Sequence, residues 1–203
     1  MSIQDRKHRQ KEKLRQEILD AARELFVEDG YENVSMRKIA ERIEYSPTTI
    51  YLYFNDKSEI LHEIFRLSFA KLNDEIIKSR ESGGTPLEVL RRGMMAYIEF
   101  GLNNPYHYDA VYISPKSRSA ARLSPSIVEM PGIRAFELLT ESVTDCIKAG
   151  LLGPGNPAIT AQTIWSGIHG ATSLMIKHKG FPFAERHALS KSVVDTMIRG
   201  LRK

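Results

Sequence analysis

A single cysteine, Cys146, stands among 203 residues, so neither an internal disulfide nor a tetrathiolate zinc site can form. That scarcity fits a reducing, cytoplasmic setting. Glycine and proline, 13 and 9 residues, are close to average abundance, which excludes collagen-like and low-complexity chains. The first seventeen residues, MSIQDRKHRQKEKLRQE, lack an apolar core, so no secretory signal is expected. The longest stretch without charge, Ala149–Ile176, is broken by Gly153-Pro154-Gly155-Asn156-Pro157 and then carries Gln162, Ser166, His169 and several threonines. That polarity is costly in lipid, so a buried helix of a soluble protein is expected rather than a membrane span. The histidines never fall at a tight metal-ligating spacing, and no Gly-rich phosphate loop ending in Lys-Ser/Thr is present. No catalytic constellation, metal or cofactor is expected, and the chain reads as a non-enzyme.

What is present is an ordinary globular balance, 42% hydrophobic and 27% charged, with an uneven layout of charge. The net charge of +4 hides six Lys/Arg against two acids in residues 1–15 and five against nine in residues 16–57. A basic arm ahead of a globular segment is a common way to reach phosphates, although such arms are also often merely solvated.

Nearly every periodic segment has apolar residues at three and four spacing, which predicts helix. The first carries Leu14, Ile18, Ala22, Leu25 and Phe26 and stops at Gly30. The second, about Met36 to Ile43, has Ser35 as its cap and Val34 and Ile39 as a hydrophobic staple. Ser46-Pro47 opens a third that reaches Phe54. Asp56 and Glu59 have capping-box spacing at the head of a long fourth, which ends at Gly83-Gly84. Thr85-Pro86-Leu87-Glu88 and Asn104-Pro105 open the fifth and a short aromatic sixth. Residues 115–130 read as a loop, Pro131 to Gly150 as a seventh helix, Pro157 to about Lys179 as an eighth and 184–202 as a ninth. No strand pattern stands out. The expected fold is all-α: an N-terminal three-helix bundle over residues 1–55, then an antiparallel helical bundle over 56–203, about nine helices in all.

Residues 35–54 hold two short helices joined by Glu44-Tyr45, the layout of a helix-turn-helix whose second helix enters the DNA major groove. With Ile50 facing inward, steps of about 100° place Phe54 and Pro47 beside it and turn Thr48 and Leu52 outward, flanked by Thr49 and Tyr51. Hydroxyls there can bond phosphates or base edges, and apolar atoms can meet a thymine methyl. Arg37 and Lys57 are candidate phosphate contacts. The same outward side chains could instead pack against another subunit, which leaves open a helical small-molecule- or partner-binding protein without operator recognition.

The run ILDAARELFVEDGYENVSMRKIAERIEYSPTTIYLYFNDKSEIL closely resembles the N-terminal region of TetR-family transcriptional regulators. The match is carried by Ala21-Ala22, Leu25-Phe26, Gly30-Tyr31, Val34 to Ala40, Ser46 to Tyr51, Tyr53-Phe54 and Lys57. The resemblance implies a homodimeric regulator, usually a repressor, that reads a palindromic operator in double-stranded DNA and is released by a small molecule bound in the C-terminal domain. By family position Ser35, Arg37, Thr48, Thr49, Tyr51, Tyr53 and Lys57 would touch DNA, mostly phosphate, with Thr48 and Leu52 placed for bases. Glu44 departs from the glycine usual in the turn. A glutamate resists positive φ, so the turn is expected to be shaped differently.

In the C-terminal half, Trp165-Ser166-Gly167-Ile168-His169-Gly170 resembles the Trp…His-Gly signature of one subclass of the same family. Gly167, Gly170 and Ala171 leave one helix face nearly bare, and the last helix, with Leu189, Val193, Met197 and Leu201, can pair with it. With the resemblance, these two helices are expected to form a four-helix dimer interface. Aromatic and sulfur side chains gather between Phe65 and Trp165, which suits a small apolar or aromatic effector. Tyr97, Tyr112, Trp165 and His169 are its candidate polar-tipped contacts.

Overall fold

Caps and apolar periods account for most of the helices that form. The computed structural model describes residues 3–108 and 125–202; among these the chain is all-helical, with no strand. By their internal contacts the described residues fall into two compact units, 3–67 with 125–128 and 68–108 with 129–202.

In the first unit, α1 runs Ile3–Glu28, so the basic arm is not separate from the first helix but is its N-terminal half. The C-terminal half buries Ile18, Leu19, Ala22, Leu25 and Phe26 almost completely. A 3-10 turn over Tyr31–Asn33 leads to α2 (Met36–Arg42) and α3 (Pro47–Tyr51). Both start as expected: Lys38 N–H donates to Ser35 Oγ and Thr49 N–H to Ser46 Oγ, each at 3.2 Å. The staple residues Val34 and Ile39 are buried. The acid surplus of this segment is partly matched here, because Arg42 pairs with Glu24 and Glu28 and Lys38 with Asp29. These exposed pairs are worth little each.

Two expectations for this segment are corrected. First, Glu44 adopts φ 59 after all. Its N–H donates to Glu41 O at 3.2 Å while Tyr45 N–H reaches back to Ala40 O at 3.0 Å. Those two bonds form a Schellman cap with Glu44 in the left-handed position usually held by glycine. The turn keeps its usual shape because the cap satisfies two end carbonyls of α2. Second, α3 stops at Tyr51, and Leu52 is its C-cap. Tyr53 and Phe54 lie beyond it, both directing their N–H groups to Ile50 O. Phe54 still turns inward and is buried.

Helix α4 (Lys57–Glu81) opens differently from a capping box. Glu59 N–H donates to Asp56 Oδ1 at 3.0 Å, but the Glu59 carboxylate accepts from Asn55, through both its backbone N–H and its side-chain amide. Its first turns bury Ile60, Leu61 and Ile64. Arg15 ties α1 to α4 through Glu63 at 2.8 Å, with its guanidinium 5.2 Å from the Phe54 ring centroid.

In the second unit, α5 (Pro86–Asn103) has the expected capping box: Thr85 N–H donates to the Glu88 carboxylate and Glu88 N–H to Thr85 Oγ1. Helix α6 is the single turn Pro105–Tyr108. Helix α7 covers Pro125–Lys148, so it begins before Pro131 and takes in residues expected in a loop; the rest of that loop, 115–124, lies outside the described residues. Helix α8 spans Pro157–Lys177 and α9 Arg186–Leu201. Helices α5 and α8 approach closely at Gly101, where a Cβ would stand 2.5 Å from Thr172 Cγ2 and 2.8 Å from the Tyr108 ring. Only glycine fits there.

The strained turn carries a direct expectation. Glu44→Gly relieves the left-handed penalty, offset by the added freedom of the unfolded chain, and should raise stability by about 0.5–1 kcal/mol in denaturant unfolding. Glu63 supplies a pH dependence. The Arg66 guanidinium, helped by Arg15, outweighs desolvation and holds the Glu63 carboxyl down at about 2, below its ordinary 4.5. A carboxylate lowered on folding stabilises above its unfolded value, and that contribution is lost as pH falls from about 4.5 toward 2. Glu63→Gln should flatten the loss of stability over that interval.

Candidate functional site

Helix α3 has five residues, too few to hold itself together, so its face is set by what it buries. Ile50 is fully buried and Phe54 nearly so. Burial of one such side chain contributes roughly 1.5–3 kcal/mol, more than the ~1 kcal/mol of a serine cap. The opposite side is open: Leu52 is 75% exposed and Tyr51 53% exposed, large side chains with no cover in their own unit. Thr48 is exposed beside them. This is the rim expected from the helical wheel. Thr49 is half-buried, its Oγ1 2.9 Å from Ser46 Oγ, so its hydroxyl already serves the N-terminal cap. Ser35 is exposed but also occupied, as the cap of α2. Arg37 is well exposed and held only by Glu41 on the next turn, a pair easily exchanged for another anion. Tyr53 is half-buried just past α3.

Lys57 departs from its expected role. As the first residue of α4 it sends its ammonium inward, donating to Tyr31 O at 2.8 Å, Val34 O at 3.0 Å and Glu32 O at 3.3 Å. It also sits 4.3 Å from the Tyr31 ring centroid. An ammonium has three protons, and all three are engaged. Desolvation pushes the Lys57 pKa down and the nearby Glu32 partly restores it. Lys57 therefore fastens the turn before α2 to α4 in place of reaching outward as a phosphate contact.

In the second unit, three of the four residues expected at an effector site come together. Trp165 Nε1–H donates to Tyr97 Oη at 2.9 Å, and Tyr97 Oη lies 3.1 Å from Tyr108 Oη. Tyr108 Oη in turn meets His169 Nδ1, and Tyr97 Oη lies 3.3 Å from the same nitrogen. Trp165 is the fixed donor at one end, and the two phenol hydroxyls and the His169 ring complete a connected network. Burial lowers the His169 pKa, which favours the neutral ring. Burial likewise pushes the Tyr97 phenol up, so it stays protonated. Tyr112 lies outside the described residues. Tyr108, fully buried, was legible only as one aromatic among many; its bond to His169 depends on α6 folding against α5 and α8. Among the described residues, no group of three or more His, Cys, Asp or Glu could hold a metal ion, and no helix is long and apolar enough to cross a membrane.

A helix-turn-helix with an exposed hydroxyl, aromatic and aliphatic rim, followed by a second helical unit, defines the class of DNA-binding regulators. Comparison with known proteins makes the class specific. The family model "Bacterial regulatory proteins, tetR family" matches residues 18–64, and "Tetracyclin repressor-like, C-terminal domain" matches residues 90–199. The chain belongs to the TetR family of transcriptional regulators, and the proteins of this family it matches are regulators, not enzymes. It is 26% identical over 188 residues to the HTH-type transcriptional regulator HbdR of Aromatoleum sp. (strain CIB), covering 92% of this chain and 79% of HbdR. Its fold is shared with the regulator FadR from Bacillus subtilis, solved in complex with stearoyl-CoA, at TM-score 0.76 and 21% identity, covering 92% of this chain and 99% of FadR. The TetR-family regulator PfmR from Thermus thermophilus matches at TM-score 0.69 and 24% identity over 92% of this chain and 99% of PfmR.

The inward ammonium separates folding from recognition at Lys57. Lys57→Met keeps the stem but removes the three bonds and the ring contact, and should lower stability by about 1–2 kcal/mol in urea unfolding.

Proposed function

We propose that the protein is a cytoplasmic homodimeric repressor that reads a palindromic operator through α3 and leaves it when a small apolar or aromatic molecule occupies the second unit. The observation that carries the DNA-binding half is the uncovered rim of Thr48, Tyr51 and Leu52 on a helix anchored from behind by Ile50. Thr48 and Leu52 face bases, while Tyr51, Tyr53, Thr49, Ser35 and Arg37 approach phosphates. Lys57 positions the turn behind them.

The dimer reading is supported by α8 and α9. Ile159 and Leu174 are 63% and 51% exposed on α8, and a Cβ added at Gly170 would meet open space. Leu189, Val193 and Leu201 are only half-buried on α9, whereas Val194 and Ile198 form its inner row. Gly167 is already taken within the chain, because Met197 packs where its Cβ would stand. The remaining small and apolar strip suits a second copy related by a two-fold axis. For the effector, the Tyr97–Trp165–His169 cluster offers a few polar atoms inside an aromatic surround, the usual make-up of a pocket for a mostly apolar ligand. The stearoyl-CoA complex of FadR gives a precedent on this fold. An effector acts only by binding the released form more tightly than the operator-bound form.

Selection of bound fragments from the source genome, followed by footprinting, tests the reading. The expected result is a pair of inverted half-sites about 34 Å apart, centre to centre. A Thr48→Ala/Tyr51→Ala/Leu52→Ala variant that still melts cooperatively should lose specific affinity by about a hundredfold or more. Tight, sequence-specific binding by that variant would refute the assignment.

A further inference from the structure

The N-terminal half of α1 is a continuation of the helix, and it borders a cleft of about 500 Å³ with the helix-turn-helix. One wall is Lys7, Gln10, Lys11, Lys13, Leu14 and Glu17, and the other is Tyr45 and Tyr53. Residues 7, 10/11, 14 and 17 recur at three and four spacing, so a single face of α1 looks into the cleft. The charge in it is lopsided. Glu17 is the one acid of the lining and is paired with Lys13 at 3.6 Å, whereas Lys7 and Lys11 have no ion pair among the described residues. Both lysines are exposed, and Tyr45 opposite them is 44% exposed.

We infer that this cleft is a second phosphate-binding site for operator DNA, in which Lys7 and Lys11 neutralise the backbone of one strand beside the half-site read by α3. The inference rests on the DNA-binding function proposed above and extends it to a surface outside the helix-turn-helix. Three features favour a nucleic-acid backbone as the occupant. The uncompensated charge is positive. The facing wall carries phenol hydroxyls that can donate to phosphate oxygens. The cleft is continuous with the reading surface through Tyr53, which follows α3 directly. Spacing agrees as well: four residues of helix separate Lys7 from Lys11 by about 6 Å along its axis. One strand of B-DNA places a phosphate every ~3.4 Å of helix axis, so the two ammonium groups span about two phosphates. Such contacts carry no base information. They set strength and salt dependence, while the Thr48–Leu52 rim sets sequence choice.

A titration of operator and non-specific duplexes against wild type and Lys7→Gln/Lys11→Gln, at several salt concentrations by fluorescence anisotropy, decides the point. Thermal melting checks that the variant, altered only at exposed positions, remains folded. The expected result is a log–log salt slope shallower by about 2 per protomer, about 4 for the dimer, and weaker binding to both duplexes with an unchanged specificity ratio. If wild type binds the operator tightly and the variant matches it in slope and affinity, the second site is overturned while the repressor reading stands. A variant that loses affinity for the operator alone, with the slope kept, also overturns it, because that pattern belongs to base recognition. If wild type shows no salt-dependent DNA binding at all, the repressor reading itself fails and takes this site with it.

Discussion

The exposed rim of α3 depends on the burial of Ile50 and Phe54 behind a helix of five residues. A helix that short has no stability of its own, so Thr48, Tyr51 and Leu52 point outward only because Ile50 is fixed inward. The fixing extends outward from there. Arg15 covers Phe54 and grips Glu63, which ties α1 to α4. Lys57 holds the carbonyls of Tyr31, Glu32 and Val34 and so fixes the approach to α2. Ser35 and Ser46 then start the two short helices. A rigid scaffold behind an exposed rim is what groove reading demands, since a reading helix free to rock would lose the geometry that distinguishes base edges.

The second unit uses a different device. Gly101 lets α5 and α8 approach until Thr172 and Tyr108 fill the space of a missing side chain. That approach brings Tyr97, Tyr108, Trp165 and His169 into one connected set of hydrogen bonds. Fully satisfied polar groups inside an aromatic surround impose a definite arrangement where purely apolar packing would tolerate several. In the effector reading proposed above, a ligand entering there would have to match or replace those bonds.

Local chemistry made much of the fold readable in advance. The Ser35, Ser46 and Thr85 caps, the Val34–Ile39 staple and the Gly83-Gly84 stop all depend on residues within a few positions of one another. The outward direction of Leu52 followed from periodicity alone. Where the structure departs from local expectation, the physical causes are of the same scale. Propensity cannot tell a solvated basic arm from the first turns of a helix, and residues 3–13 turned out to continue α1. The steric penalty of Glu44 in the left-handed region is local, but the two cap bonds to Ala40 and Glu41 outweigh it. Pro131 looked like a helix start, yet α7 begins at Pro125.

Residue order and pattern therefore determined the all-helical class, the two short helices of the helix-turn-helix, their caps and the family, because each is written in neighbours along the chain. Three-dimensional packing decided the rest. It turned Lys57 inward to three carbonyls some 25 residues away in sequence, gathered Tyr97 and Tyr108 onto Trp165 and His169, and set Lys7 and Lys11 across a cleft from Tyr45 and Tyr53. Those pairings join residues far apart in the chain, and no local propensity encodes which distant partner a side chain will meet once the helices have packed.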